Sequence, residues 1–86
     1  MIELKQYYEA YKKAQAESNR LDELFEKHPE DQKIEAAWDL AYSKEYTHFC
    51  LLTDHIAKMT GMDIATARLI VMGKPAELAA LMERIA

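Results

Sequence analysis

The chain has few of the residues that interrupt helices or cross-link small folds: two glycines, two prolines and one cysteine among 86 residues. The low glycine and proline content, with 50% apolar and 30% charged residues, argues against disorder. A lone cysteine, Cys50, excludes an internal disulfide framework and a zinc site made from several cysteines of one chain. Valine and threonine are few, whereas alanine, leucine, glutamate and lysine abound, so the composition predicts a single all-α domain over residues 1–86.

Long apolar runs are also missing. The first fifteen residues carry charges throughout, so the sequence predicts neither a signal peptide nor a membrane span, and the expected compartment is the cytoplasm. There is no glycine-rich phosphate loop and no Ser-His-Asp arrangement, and Cys50 lies in a helical pattern where an apolar filler is expected. We therefore expect no enzymatic activity, no cofactor and no small-molecule substrate.

Charge is distributed unevenly along the chain. Its net value is −4, but residues 1–55 contribute −5 (seven Lys or Arg, twelve Asp or Glu) and residues 56–86 contribute +1 (four against three). A nucleic-acid binder usually presents a basic face, and only the C-terminal third could supply one.

Apolar side chains recur at alternating steps of three and four in two long segments, which predicts two amphipathic helices over about 2–28 and 32–59. The first stripe runs through Leu4, Tyr7, Tyr11, Ala14, Ser18, Leu21, Phe25 and His28, and the second through Ile34, Trp38, Ala41, Glu45, His48, Leu52, His55 and Met59. Pro29 separates them and is suited to the first turn of the second helix. A short connection predicts an antiparallel hairpin. Matching the stripes places Phe25 opposite Ile34, Tyr11 opposite His48 and Tyr7 opposite Leu52.

Two short helices are expected after the hairpin. Gly61 suits the left-handed position at a helix end and Asp63 an N-cap, which predicts a helix over 64–72 that stops at Gly73. Pro75 then opens a last helix. Its inner face would consist of Leu78, Leu81, Met82 and Ile85.

The segment 56–74, IAKMTGMDIATARLIVMGK, has the spacing of a helix-turn-helix. Its alanine, glycine and three following apolar residues are Ala57, Gly61, Met62, Ala67 and Ile70. With the glycine-lysine turn and closing helix that follow, residues 56–86 resemble the Cro/repressor-like families. The resemblance implies a DNA-binding regulator whose second helix enters the major groove. The long hairpin replaces the leading helices of those families.

The outward positions of this motif suit DNA only in part. Thr66 and Arg68 are the side chains able to read base edges, and Lys58 and Lys74 could contact phosphates. The others are Asp63, Ile64, Ala65, Leu69 and Met72. The alternative is a packed helical corner that contacts no DNA.

Glu45 and His48 have the Glu-x-x-His spacing that di-iron helical bundles use in pairs. In the expected register, however, Glu45 faces Ala14 and His48 faces Tyr11, with Glu17 as the one further carboxylate nearby. The favoured interpretation is that they fill polar gaps between the helices, so no metal site is predicted.

The tyrosines favour an interaction surface, because a two-helix seam cannot bury all of them and tyrosine is enriched at protein interfaces. The candidates are Tyr7, Tyr8, Tyr42 and Tyr46. The sequence thus predicts a non-enzymatic helical adaptor or modulator of a partner protein, homodimeric through its hairpin. The alternative is a helix-turn-helix regulator that contacts DNA through Lys58, Thr66, Arg68 and Lys74.

Overall fold

The computed structural model describes residues 4–85, and for residue 85 the backbone only. Within that range it contains four α-helices and no strand. They are α1 (Leu4–Lys27), α2 (Gln32–Thr60), α3 (Ile64–Gly73) and α4 (Pro75–Ile85). This confirms the prediction of an all-α hairpin followed by two short helices. The expected start of the first helix at residue 2 and the expected inward side chain of Ile85 lie outside the described residues.

The turn between the two long helices depends on Asp31 rather than on Pro29. Pro29 lies in a short turn in which the Asp31 amide donates to the carbonyl of His28 at 3.1 Å. The Asp31 carboxylate then accepts from the amides of Lys33 and Ile34 at 2.9 and 3.3 Å, which caps α2. The sequence pattern predicts Pro29 in the first turn of α2 and does not predict the cap at Asp31.

The ring contacts between the long helices differ from the pairs named by the expected register. Phe25 stacks on Trp38, and Tyr7 stacks on His55 with centroids 4.6 Å apart. Each partner lies about one turn further along α2 than predicted. Tyr11 contacts Phe49, the residue after its expected partner, at a centroid distance of 5.8 Å. Positions one turn apart lie on the same face of a helix, so the stripe alone does not determine which ring an aromatic side chain meets.

The core lies where all four helices meet, at the end of the hairpin that holds the start of α1. Leu52, Ile56 and Ala67 are fully buried there. Leu4, Tyr11, Ile70, Leu78 and Leu81 complete the buried cluster. The other half of the hairpin extends beyond α3 and α4, and its buried positions are Ser18, Leu21 and Ala41.

The corner between α2 and α3 follows its sequence signals. Gly61 adopts a left-handed conformation (φ 76°), and its amide donates to the carbonyl of Ala57 at 2.9 Å. The Asp63 carboxylate accepts from the amide of Thr66 at 2.8 Å and caps α3. None of the helices in the described range is both long and apolar enough to cross a membrane.

Candidate interaction surface

An open groove lies between the middle of α2 and the end of α3. We call it the tyrosine groove, and its volume is about 250 Å³. It is lined by Tyr11, Tyr42, Glu45, Tyr46, Phe49 and Met72. Tyr42 and Tyr46 are each 57% exposed and Met72 is 75% exposed, so the groove concentrates apolar surface that this chain leaves in water.

Helical spacing explains why the groove begins where it does. Tyr42, Tyr46 and Thr53 lie on one face of α2, because steps of four and seven residues return to the same side of a helix. Thr53 is fully buried, and Met72 of α3 borders the tyrosines in the groove. Helix α3 runs back along α2 with Arg68 beside Cys50 and reaches the tyrosines with Met72, but it leaves Tyr42 and Tyr46 exposed.

Aromatic contacts organise the rings along this side of the hairpin. Trp38 packs against Phe25 on one side and Tyr42 on the other, with both pairs of centroids 5.7 Å apart. Tyr46 contacts Phe49, whose ring also meets Tyr11. Each exposed tyrosine thus rests on a partly buried ring, which holds it in place and lowers the entropy lost when a partner binds.

Glu45 is the one carboxylate among the residues that line the groove, and it lies near Tyr11. Burial raises the pKa of Tyr11, and the nearby Glu45 charge raises it further, with a smaller effect from Tyr8. Gln15 donates to the Tyr11 hydroxyl at 3.3 Å. The groove is therefore apolar with a negative charge on its wall.

The structure divides the four predicted interface tyrosines into two pairs. Tyr42 and Tyr46 meet in the tyrosine groove, as described above. Tyr7 and Tyr8 are partly buried against the core, and Tyr7 stacks on His55. Met72 completes the groove, although the sequence motif predicts it only as an outward position of α3. Its place beside the tyrosines depends on tertiary packing.

Glu45 and His48 line grooves on opposite sides of the hairpin. His48 lines a second groove of about 320 Å³ with Ala14, Glu17 and two lysines, Lys13 and Lys44. Glu45 lines the tyrosine groove with Tyr11, and His48 lines the second groove with Ala14, whereas the expected register has Glu45 facing Ala14 and His48 facing Tyr11. No cluster of three or more His, Cys, Asp or Glu able to hold a metal ion occurs in the described range.

The inner positions of the helix-turn-helix-like corner are buried in the way its spacing requires. Ala67 is fully buried, Ile70 is 7% exposed, and Ala57 and Met62 pack against the core. These contacts account for the pattern of apolar residues. They are the contacts that a packed corner needs with or without DNA.

The four candidate DNA-contacting residues differ in their availability. Lys58 and Thr66 are exposed. Arg68 is folded back on α2, with its Nη2 3.9 Å from the Sγ of Cys50 and its Nε buried without a hydrogen-bond partner among the described residues. Lys74 lies 3.8 Å from the carboxylate of Glu77. The cations of this corner are thus partly engaged within the chain.

Comparison with known proteins assigns no family to the chain. No protein-family model, no curated protein and no solved structure matches it. The functional inference therefore rests on the surfaces of the chain itself.

Proposed function

We propose that this protein is a non-enzymatic interaction module that binds a partner protein through the tyrosine groove and thereby modulates or recruits that partner. The observation that carries the proposal is the exposure of Tyr42, Tyr46 and Met72 around one concave site. Tyrosine and methionine are enriched at protein interfaces, since each supplies a large contact area that adapts to a partner.

The chemistry of the groove supports binding rather than catalysis. Glu45 is the one acidic or basic group that lines it, and no histidine, lysine or thiol converges on that carboxylate there. Acid–base or nucleophilic catalysis needs a second positioned group within hydrogen-bond reach. The groove offers stacking surface and tyrosine hydroxyls instead, which suit the side chains of a protein partner.

A second copy of this chain, bound through self-association of the hairpin, is the alternative occupant of the groove. Sedimentation velocity over a range of concentrations measures self-association directly. A dimer that weakens in the Tyr46→Ala variant would make a second copy the occupant of the groove. A monomer at all concentrations would leave the groove to a different protein.

The proposal is tested by site-specific photo-crosslinking in cells that produce the protein. A photoreactive phenylalanine analogue at position 46 is expected to trap a protein, and Tyr42→Ala in the same chain should reduce the yield severalfold. The matched control carries the analogue at position 40, where Leu40 is 58% exposed but does not line the tyrosine groove. Equal yields at positions 40 and 46, or none at either, would refute the proposal.

A second candidate function is DNA binding through the 56–74 corner. It is supported by the exposed Lys58 and Thr66 beside a capped helix with a buried inner face. Arg68 would have to leave Cys50 to reach a base, and Lys74 would have to leave Glu77. Few cationic contacts also imply weak binding that falls steeply with salt.

Fluorescence anisotropy of a labelled mixed-sequence duplex, at low and near-physiological salt, decides this second candidate. Salt-sensitive binding that drops on Arg68→Glu would establish it. Under that function, Arg68→Ala should also relax base preference, whereas Lys74→Ala should weaken binding to all sequences. Absence of binding at low salt would remove it and leave the tyrosine groove as the functional site.

A further inference from the structure

We propose that the partner presents a basic amphipathic helix, which lies on the open face of α2 in line with α3. This inference rests on the proposed function and names the chemistry of the partner. It is carried by three features of the hairpin: a row of carboxylates beside the tyrosines, the place that α3 already occupies on the same face, and the separation of acidic from basic residues across the hairpin.

The open face of α2 alternates aromatic and acidic side chains. Glu35 lies seven residues before Tyr42, and Asp39 lies seven residues before Tyr46, so each carboxylate shares a side of the helix with a groove tyrosine. All four residues are exposed. Glu45 adds a further carboxylate on the groove wall.

Helix α1 adds acidic residues along the same side. The side chain of Gln15 bonds to the Tyr11 hydroxyl in the groove, and Asp22, seven residues on, lies on the same side of α1. Glu26 follows one turn later, and both carboxylates are exposed. The acidic face of the hairpin is therefore formed by Asp22, Glu26, Glu35, Asp39 and Glu45.

Four lysines of the hairpin lie away from the acidic face or at its edge. Lys13 and Lys44 line the second groove, on the opposite side. Lys33 is nine residues from Tyr42, which places it on the far side of α2. Lys12, at the edge of the acidic face, donates to the side chain of Gln15 at 3.0 Å. Neither of the two ion pairs among the described residues involves a carboxylate of the acidic face, so these carboxylates remain available to a partner.

The shape of the open face fits a helix. Helix α3 runs back along this side of α2: Arg68 lies beside Cys50, and Met72, near the end of α3, borders Tyr42 and Tyr46. From Tyr46 back to Glu35 the same side extends for about 16 Å without a covering helix, at 1.5 Å per residue. A partner helix of about three turns would continue the line of α3 and cover the tyrosines.

The charge pattern selects a basic partner over a second copy of this chain. Pairing two acidic faces would bring carboxylates against carboxylates, which disfavours binding. Lysine or arginine side chains would instead meet the carboxylates, and arginine could also stack on Tyr42 or Tyr46. Apolar residues of the partner helix would enter the groove beside Met72, in the helix-in-groove mode.

The test uses two labelled synthetic helices of about 16 residues, long enough to follow the open face. One carries a leucine stripe flanked by lysine and arginine, and the other has glutamate at every basic position. Anisotropy titrations with the full chain should show binding of the basic peptide that weakens with salt, and no binding of the acidic one. The double variant Glu35→Lys/Asp39→Lys should weaken binding of the basic peptide by about tenfold or more.

The matched control is Glu9→Lys/Glu23→Lys, which changes the net charge equally. These two exposed residues lie on the outer face of α1, away from α2. The control should leave peptide affinity within about twofold, and circular dichroism should show that both variants remain helical. Equal loss in the two double variants, equal binding of the acidic peptide, or no binding of the basic peptide would overturn the inference.

The crosslinking experiment separates this inference from the proposed function. If the analogue at position 46 traps a protein equally well in the Glu35→Lys/Asp39→Lys background, the groove binds a partner but the acidic face does not select it. If position 46 traps nothing, the proposed function itself fails. Loss of the crosslinked product in that background, and its retention in Glu9→Lys/Glu23→Lys, supports both proposals.

Discussion

Phe25 of α1 stacks on Trp38 of α2, with ring centroids 5.7 Å apart and planes inclined by 23°. This pair closes the hairpin near its turn, far from the core formed by all four helices. Trp38 also packs against the exposed Tyr42, so the same stack supports one wall of the tyrosine groove. The stability of the projecting half and the shape of the groove are therefore linked.

Phe25→Ala is expected to lower the free energy of unfolding by about 2 kcal/mol, since a half-buried ring and its stacking partner are separated. Urea unfolding followed by the fluorescence of Trp38, the chain's one tryptophan, measures it. Leu40→Ala, at a largely exposed position, should stay within about 0.5 kcal/mol of the parent. If Phe25→Ala lowers the free energy of unfolding no more than Leu40→Ala does, the stack adds nothing to stability.

Replacement of each of the two glycines by alanine is expected to change the stability of the protein in opposite directions. Gly61 has φ 76°, and an added Cβ would meet no atom within 4 Å, so Gly61→Ala should cost about 1 kcal/mol through backbone strain alone. Gly73 ends α3 without a positive φ and has the same free space. Gly73→Ala should therefore stabilise the protein by about 0.5 kcal/mol. Thermal unfolding of the pair checks both signs, and a destabilised Gly73→Ala would contradict this account.

Arg68 is expected to contribute packing rather than hydrogen bonding to stability. Its Nε is buried without a hydrogen-bond partner in the described part of the chain, whereas its aliphatic stem packs toward Cys50. Arg68→Met keeps the stem and removes the orphaned donor, so its unfolding free energy should equal or exceed that of the parent. Arg68→Ala should cost about 1 kcal/mol. Equal losses in both variants, measured by urea unfolding, would assign the stability to the guanidinium.

Sequence periodicity predicted the four helices because each apolar stripe, cap and glycine is a local signal. The ring contacts between the two long helices were harder to predict. Ile34 and Trp38 lie one turn apart on the same face of α2, and both fit the stripe of apolar residues. Phe25 stacks on Trp38, and this contact depends on the shape of the two rings rather than on their hydrophobicity. Asp31 was missed because the nearby Pro29 offered a competing start signal for α2.

The candidate site was predictable in its tyrosines but not in its walls. Tyr42 and Tyr46 lie outside the seam between the two long helices, and their spacing along the sequence indicates this. Met72 joins them only because α3 packs back along α2, and no local pattern encodes that contact. Arg68 shows the converse: its outward position in the motif suggested DNA, whereas its flexible stem folds back onto α2.

The Tyr11 hydroxyl makes stability sensitive to alkaline pH. Its pKa is raised in the folded protein, first by burial and then by the negative charge of Glu45, so the folded state holds this proton more tightly than the unfolded state. The resulting stabilisation is complete below the unfolded tyrosine pKa of about 10 and is lost as the pH rises through the folded value. Tyr11→Phe should therefore lose less stability than the parent between neutral and alkaline pH. Glu45→Gln should lie between the two, because burial still raises the pKa. Urea unfolding across this pH range tests the order, and parallel profiles for the parent and Tyr11→Phe would show that the hydroxyl is not the responsible group.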